Sequence, residues 1–90
     1  MTDRITQLAE QVGQALKGTA ATLATAESCT GGGIAEAVTR IAGSSGWLER
    51  GWVTYSNKAK AVELGVAPAV IRDNGAVSEA VVRAMAEGAR

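Results

Sequence analysis

The sequence predicts an α/β domain, and three observations carry that prediction. Helical and strand patterns follow one another in the order helix, strand, helix, strand, helices, which favours parallel strands joined by a right-handed crossover. Glycines or capping residues punctuate nearly every junction between those patterns. At 90 residues, 47% hydrophobic and with one proline, the chain has the composition of one compact domain and of no more than one.

The first helix opens at Thr2 and Asp3, both capping candidates. It sets Ile5, Leu8, Val12, Ala15 and Leu16 at spacings of three and four until Gly18 ends it. Ala20 to Ala26 is too short for a helix, and Thr22 and Thr25 suit a sheet, so it is read as the first strand. A second helix runs from Gly33 to Ala42, with Ile34, Ala37, Val38 and Ile41 on one face and Glu36, Thr39 and Arg40 on the other; Gly43 stops it. Gly43-Ser44-Ser45-Gly46 is a turn and Trp47 to Arg50 fits either state. Gly51 to Tyr55, rich in the β-formers Trp52, Val53, Thr54 and Tyr55, is the second strand.

Ser56 and Asn57 cap a helix over Lys58 to Leu64 that closes at Gly65, and Pro68 opens a short helical piece over Ala69 to Arg72. Asp73-Asn74-Gly75 is read as a turn. Ser78 caps a last helix from Glu79, with Val81, Val82, Met85, Ala86 and Ala89 as its apolar positions. The helical pattern reaches Arg90 without a C-cap signal, so the ending reads as cut, not finished. Two parallel strands cannot bury both of their faces alone, and further strands or a partner chain are expected to complete the sheet. This chain taken by itself is therefore expected either to be a homo-oligomer that completes its sheet through a partner copy or to be partly molten, with helices but poorly fixed packing.

With 9 basic and 9 acidic side chains the formal charge is zero, which argues against nucleic acid as a partner. No apolar run approaches the roughly 20 residues of a spanning helix, and the N-terminus lacks a basic patch followed by an apolar core. No membrane partner is expected, and the chain is read as cytoplasmic. There is no histidine, and the single cysteine, Cys29, has no partner for an internal disulfide. An ordinary zinc site is thereby excluded, and neither a metal nor a cofactor is expected. Every Ser-His or Cys-His pair is excluded too, so any hydrolysis needs Lys, Glu, Asp or Tyr as proton carrier.

Three constellations could carry chemistry. The first is Ala24-Thr25-Ala26-Glu27-Ser28-Cys29-Thr30-Gly31-Gly32-Gly33, a strand, a glycine turn and a helix start. Ser28 there stands beside backbone donors suited to an oxyanion or a phosphate. It is neither a G-x-S-x-G elbow nor a Walker A loop, and the plainer reading makes Ser28 or Thr30 a helix cap. Glu27 either fixes Ser28 and the loop by accepting hydrogen bonds or acts as a capping carboxylate.

The second is Thr54-Tyr55-Ser56-Asn57-Lys58-Ala59-Lys60, at the strand end where α/β proteins bind ligands. If the strands are adjacent and parallel, both motifs emerge at one rim. A lysine desolvated there acts as base to a serine or, charged, holds a phosphate; the alternative is a solvated helix surface. The third is Cys29, for which a depressed thiol pKa beside a helix start is weighed against a structural role as a small buried hydrophobe, and the structural role is preferred.

Taken together, Thr25-Ala26-Glu27-Ser28-Cys29-Thr30-Gly31-Gly32, Ala42-Gly43-Ser44-Ser45, Arg50-Gly51-Trp52-Val53-Thr54-Tyr55-Ser56-Asn57 with Ala59-Lys60, and Gly75-Ala76-Val77-Ser78 resemble the CinA C-terminal domain family, the nicotinamide mononucleotide deamidases. The resemblance runs from about Ala20 to Arg90 and makes residues 1–90 the N-terminal part of one such domain. It implies a three-layer α/β/α fold with a largely parallel sheet, often dimeric. It implies an amidohydrolase that converts nicotinamide mononucleotide and water to nicotinate mononucleotide and ammonia. It further implies Ser28 as nucleophile, Lys60 as its base and Tyr55 as a neighbour that orients or stabilises. Glu27, Cys29, Thr30, Gly31, Gly32 and Asn57 are the expected contacts to the nucleotide, and nothing is transferred to Lys58. Family members continue for roughly another half of the domain. The competing reading is a noncatalytic nucleotide-binding or self-associating module that uses the glycine loop as an anion cradle.

Overall fold

A computed structural model describes residues 3–90. Asp3 caps the first helix, α1 (Arg4–Leu16), by accepting the Thr6 N–H at 2.8 Å; Thr2, the other candidate cap, lies outside the described residues. The strand β1 (Leu23–Glu27) leads into α2 (Gly33–Thr39), a 3-10 turn at Ser44–Gly46 and the strand β2 (Leu48–Val53). Three helices follow: α3 (Asn57–Leu64), α4 (Pro68–Asn74) and α5 (Glu79–Ala89).

β1 and β2 form a two-stranded parallel sheet. Both strands differ from their expected bounds. The first begins at Leu23, not Ala20, because β2 offers its first partner at Leu48; the second takes in Leu48 to Arg50 and releases Thr54 and Tyr55. Pairing register outweighs local propensity here, as sheets commonly show. α2 ends three residues early: the Arg40 and Ile41 amides turn to carbonyls three residues back, tightening the last turn. α4 extends through Asp73 and Asn74, and Gly75 at φ +86° ends it where a turn of three was expected.

Successive strand residues face opposite sides of the sheet. Ala26 and Trp52 pack against the core of Leu64, Val66, Ile71, Val81 and Met85, built by α3, α4 and α5. On the other side Thr25 and Gly51 meet Ala35 of α2 so closely that a Cβ on Gly51 would collide with the Thr25 hydroxyl. Helices thus cover both faces of a parallel pair, which is the expected layered α/β arrangement. An open groove of about 860 Å³ remains beside α5, lined by Ala24, Ala26, Trp52, Val82, Ala86 and Ala89 among others. The α5 positions Val82 and Ala86 are accordingly exposed, while Val81 and Met85 are buried.

α1 docks by its smallest residues. Ala9 and Gly13 are buried, whereas Ile5, Leu8 and Val12, expected as its core face, are exposed. The cause is Trp47: its ring lies against Gly13 so that an added Cβ would sit 2.6 Å from Cζ2. An ion-pair cluster joins α1 to α2, with Arg40 donating to Glu36 and Thr6 and standing 3.5 Å from Asp3.

Candidate active site

Parallel pairing brings the ends of both strands to one rim. Glu27 is in register with Val53, and the Thr54 N–H donates to the Glu27 carbonyl at 2.8 Å. Ser28 leaves β1 at this point and Tyr55 leaves β2, so the serine loop and the lysine motif share the rim, as their order in the sequence led one to expect.

On the serine side, Glu27 is 2% exposed and its carboxylate is fully engaged. Oε1 accepts the Thr30 hydroxyl at 2.7 Å and the Ile34 N–H at 2.8 Å, and Oε2 accepts the Ala35 N–H at 3.0 Å. Burial pushes this carboxyl up, but the amides of Ile34 and Ala35 and the Thr30 hydroxyl together outweigh it and hold the group below its ordinary value. Glu27 is thus the capping carboxylate of α2. Neither Ser28 nor Thr30 caps that helix: the N-cap is Gly32 at φ +102°, without a side-chain bond.

The glycine turn is also closed on itself, with Gly31 N–H donating to Ser28 O and Gly33 N–H to Thr30 O. The expected row of free donors from Cys29 to Gly33 therefore narrows: the Gly32 amide helps to hold the Glu27 carboxyl down, and the Cys29 and Thr30 amides donate to no group among the described residues. Cys29 is exposed, not a small buried hydrophobe, because it lies on the outer turn with no element packed over it. Ser28 is half-buried.

On the lysine side, Ser56 caps α3 by accepting the Ala59 N–H at 3.0 Å, and this fixes the helix that carries Lys60. Lys60 is 2% exposed, so the solvated-surface reading does not hold for it. Lys60 and Leu64 lie four residues apart on the buried face of α3. Its Nζ donates to the Tyr55 carbonyl at 3.0 Å, and among the described residues it forms no ion pair. The Tyr55 side chain is 71% exposed, so its backbone is what touches Lys60. Asn57 and Lys58 are exposed on the first turn of α3. Ser28 and Lys60 are brought to one rim without a hydrogen bond between them, and active-site bonds of this kind often close only with substrate present. No group of three or more metal-ligating side chains occurs among the described residues.

The model of the CinA C-terminal domain family matches residues 5–90. The chain belongs to that family. This CinA domain is 61% identical over 90 residues to the nicotinamide-nucleotide amidohydrolase PncC of Escherichia coli K12, covering 99% of this chain and 54% of that protein. It is 54% identical over 88 residues to the protein of the same name from Pseudomonas putida, covering 98% and 55%. Its fold matches the crystal structure of the competence/damage inducible protein CihA from Agrobacterium tumefaciens with a TM-score of 0.93 at 44% identity, over 99% of this chain and 54% of that one. The chain spans about half the length of the curated relatives it matches. No helix among the described residues is long and apolar enough to cross a membrane.

Two features of this CinA domain escaped the sequence reading. The Glu27 cap reaches seven and eight residues ahead, beyond any local capping spacing. Thr54 is 1% exposed, and its hydroxyl has no hydrogen-bond partner among the described residues. The signal for it was its parity with Trp52, which the sequence displays.

Proposed function

We propose that this domain carries the nucleophile and base of an amidohydrolase that releases ammonia from nicotinamide mononucleotide. The observation that carries the reading is the burial of Lys60 at the rim where Ser28 emerges. A lysine out of water beside a serine is the arrangement of a Ser-Lys hydrolase. The 61% identity to a named nicotinamide-nucleotide amidohydrolase supports the choice of substrate.

In this mechanism Ser28 Oγ attacks the carboxamide carbon while Lys60, entering as the free amine, takes the hydroxyl proton. The negative oxygen of the tetrahedral intermediate lies against the open Cys29 and Thr30 amides. Collapse breaks the C–N bond, and Lys60 returns its proton to the leaving nitrogen as ammonia. Water then enters by the reverse sequence, frees Ser28 and yields the carboxylate. Tyr55 orients Lys60 through its carbonyl. Gly31, Gly32 and Asn57 border the space for the nucleotide, and the Glu27 carboxylate holds the loop in place.

The test is ammonia release from nicotinamide mononucleotide by the chain at its natural full length, with Ser28→Ala alongside. Turnover is expected to vanish in the variant while its melting temperature and nucleotide affinity stay near those of the parent. Near-normal turnover in Ser28→Ala would remove Ser28 as nucleophile. Saturable nucleotide binding without ammonia release in the parent would instead establish the noncatalytic binding module.

A further inference from the structure

We propose that the Thr54 hydroxyl is a positioning group for Lys60, the second acceptor that fixes the direction of its amine. The inference rests on the reading of Ser28 and Lys60 as nucleophile and base, and it adds a residue that the sequence motifs left without a role.

Three observations converge on it. Thr54 is 1% exposed and its Oγ1 has no partner, in a fold where most buried polar atoms are satisfied. Lys60 is 2% exposed and among the described residues its Nζ bonds only the Tyr55 carbonyl, one residue beyond Thr54, which leaves further N–H groups of the same nitrogen unmatched there. The Thr54 backbone is tied to the other half of the site, since its N–H donates to Glu27 O, one residue before Ser28. An unmatched acceptor and unmatched donors thus occur one residue and one hydrogen bond apart.

Strand parity supports the same placement. Thr54 and Ser28 continue the alternation of Trp52 and Ala26, whose face packs against Leu64 of α3 and its neighbours. Glu27 has the opposite parity and turns to α2. Lys60 lies on the buried face of α3 with Leu64.

The chemistry explains why two acceptors are needed. A free amine has two N–H donors and one lone pair, and a single bond to Tyr55 O leaves the lone pair free to swing about that bond. A second bond to Thr54 Oγ1 fixes both donors and directs the lone pair at the serine proton. General-base efficiency depends on that direction.

Thr25 supplies an internal control. Its hydroxyl is also buried without a partner, but it lies in mid-strand under Gly51 and Ala35 on the α2 side. Thr25→Val keeps the shape and removes an unsatisfied hydroxyl, so it is not expected to melt lower than the parent; Thr54→Val keeps the shape and gives up one bond from Lys60, an effect on melting of a few degrees at most.

The experiment compares Thr54→Val, Thr54→Ser and Thr25→Val at natural full length. Thr54→Val is expected to lower kcat about tenfold, the size of one lost hydrogen bond, with KM within about twofold. Thr54→Ser restores kcat, and Thr25→Val leaves it unchanged. In the ligand-free protein the 15N resonance of Lys60 Nζ moves in Thr54→Val and returns in Thr54→Ser. An unmoved resonance, or a serine variant that behaves as the valine one, overturns the proposal whether or not the nucleotide is turned over. Absence of turnover in the parent, with the resonance shifting as described, would retire the amidohydrolase reading and leave the Thr54–Lys60 pairing standing.

Discussion

The two halves of the rim solve opposite problems. From Glu27 to Gly33 the chain resembles a ligand cradle, yet its polar groups are largely satisfied from within: the carboxylate caps α2 and the Gly31 and Gly33 amides each bond to the carbonyl three residues back. From Thr54 to Lys60 the chain resembles a helix surface, yet it buries a lysine with one acceptor and a hydroxyl with none. Residues that hold one another make a rigid platform. Residues left unmatched in a low-dielectric place are at a cost to the fold and mark where a reacting group is handled. On the proposed reading, the glycine side positions Ser28 and the lysine side does the proton transfer.

The largest effect is expected from breaking the platform. Glu27→Ala strands the Ile34 and Ala35 amides and is expected to lower stability by about 3 kcal/mol, read from the midpoint of urea unfolding. The pH dependence has a definite sign. Because the folded carboxyl titrates below the unfolded one, its contribution is complete above the unfolded glutamate value of about 4.3 and is lost as pH falls through the lower folded value. Glu27→Gln flattens that acid slope. A Glu27→Ala chain that unfolds at the parental midpoint would mean the loop holds itself without the carboxylate, and the contrast between the two sides would fail.

The lysine side should show the reverse profile. Lys60→Met removes a buried polar head and keeps its length, so stability is expected within about 1 kcal/mol of the parent, with the Tyr55 carbonyl as the loser. Turnover is expected to fall at least about a hundredfold, and Lys60→Arg should not restore it, because a guanidinium stays protonated. An active Lys60→Arg would turn the residue into a cation for the nucleotide phosphate. A strongly destabilised Lys60→Met would make it a structural lysine.

Much of the fold was open to reading because its junctions carry local chemistry. Ser56, Ser78 and Asp3 each cap the helix their position indicates, and Gly65 and Gly75 adopt the positive φ that ends one. What escaped was decided between elements. Register with β1 drew Leu48 to Arg50 into β2, and the Trp47 ring chose Gly13 over the larger face of α1. The rim followed from parallel pairing, but which of its donors stay open did not. That depended on Glu27 reaching Ile34 and Ala35, a contact with no short sequence spacing. Lys60 was readable in principle, four residues before the apolar Leu64, but a run as polar as Asn57 to Lys60 hides a buried face.

The smallest effect tests the platform one bond at a time. Thr30 donates its hydroxyl to Glu27 Oε1 at 2.7 Å, while the amides of Ile34 and Ala35 bind the same carboxylate independently. Thr30→Val removes that one donor, keeps the backbone of the turn, and leaves two bonds in place. A loss of about 1 kcal/mol is expected, near the low end for a hydrogen bond to a charged acceptor that is partly compensated. One of the groups holding the Glu27 carboxyl down is then gone, so its folded pKa rises toward the ordinary value. Acid unfolding of Thr30→Val should accordingly begin at a higher pH than in the parent, by circular dichroism across the acid range. An unshifted acid transition would mean that the two amides alone set the state of Glu27, and the Thr30 hydroxyl would then be free to face whatever the loop receives.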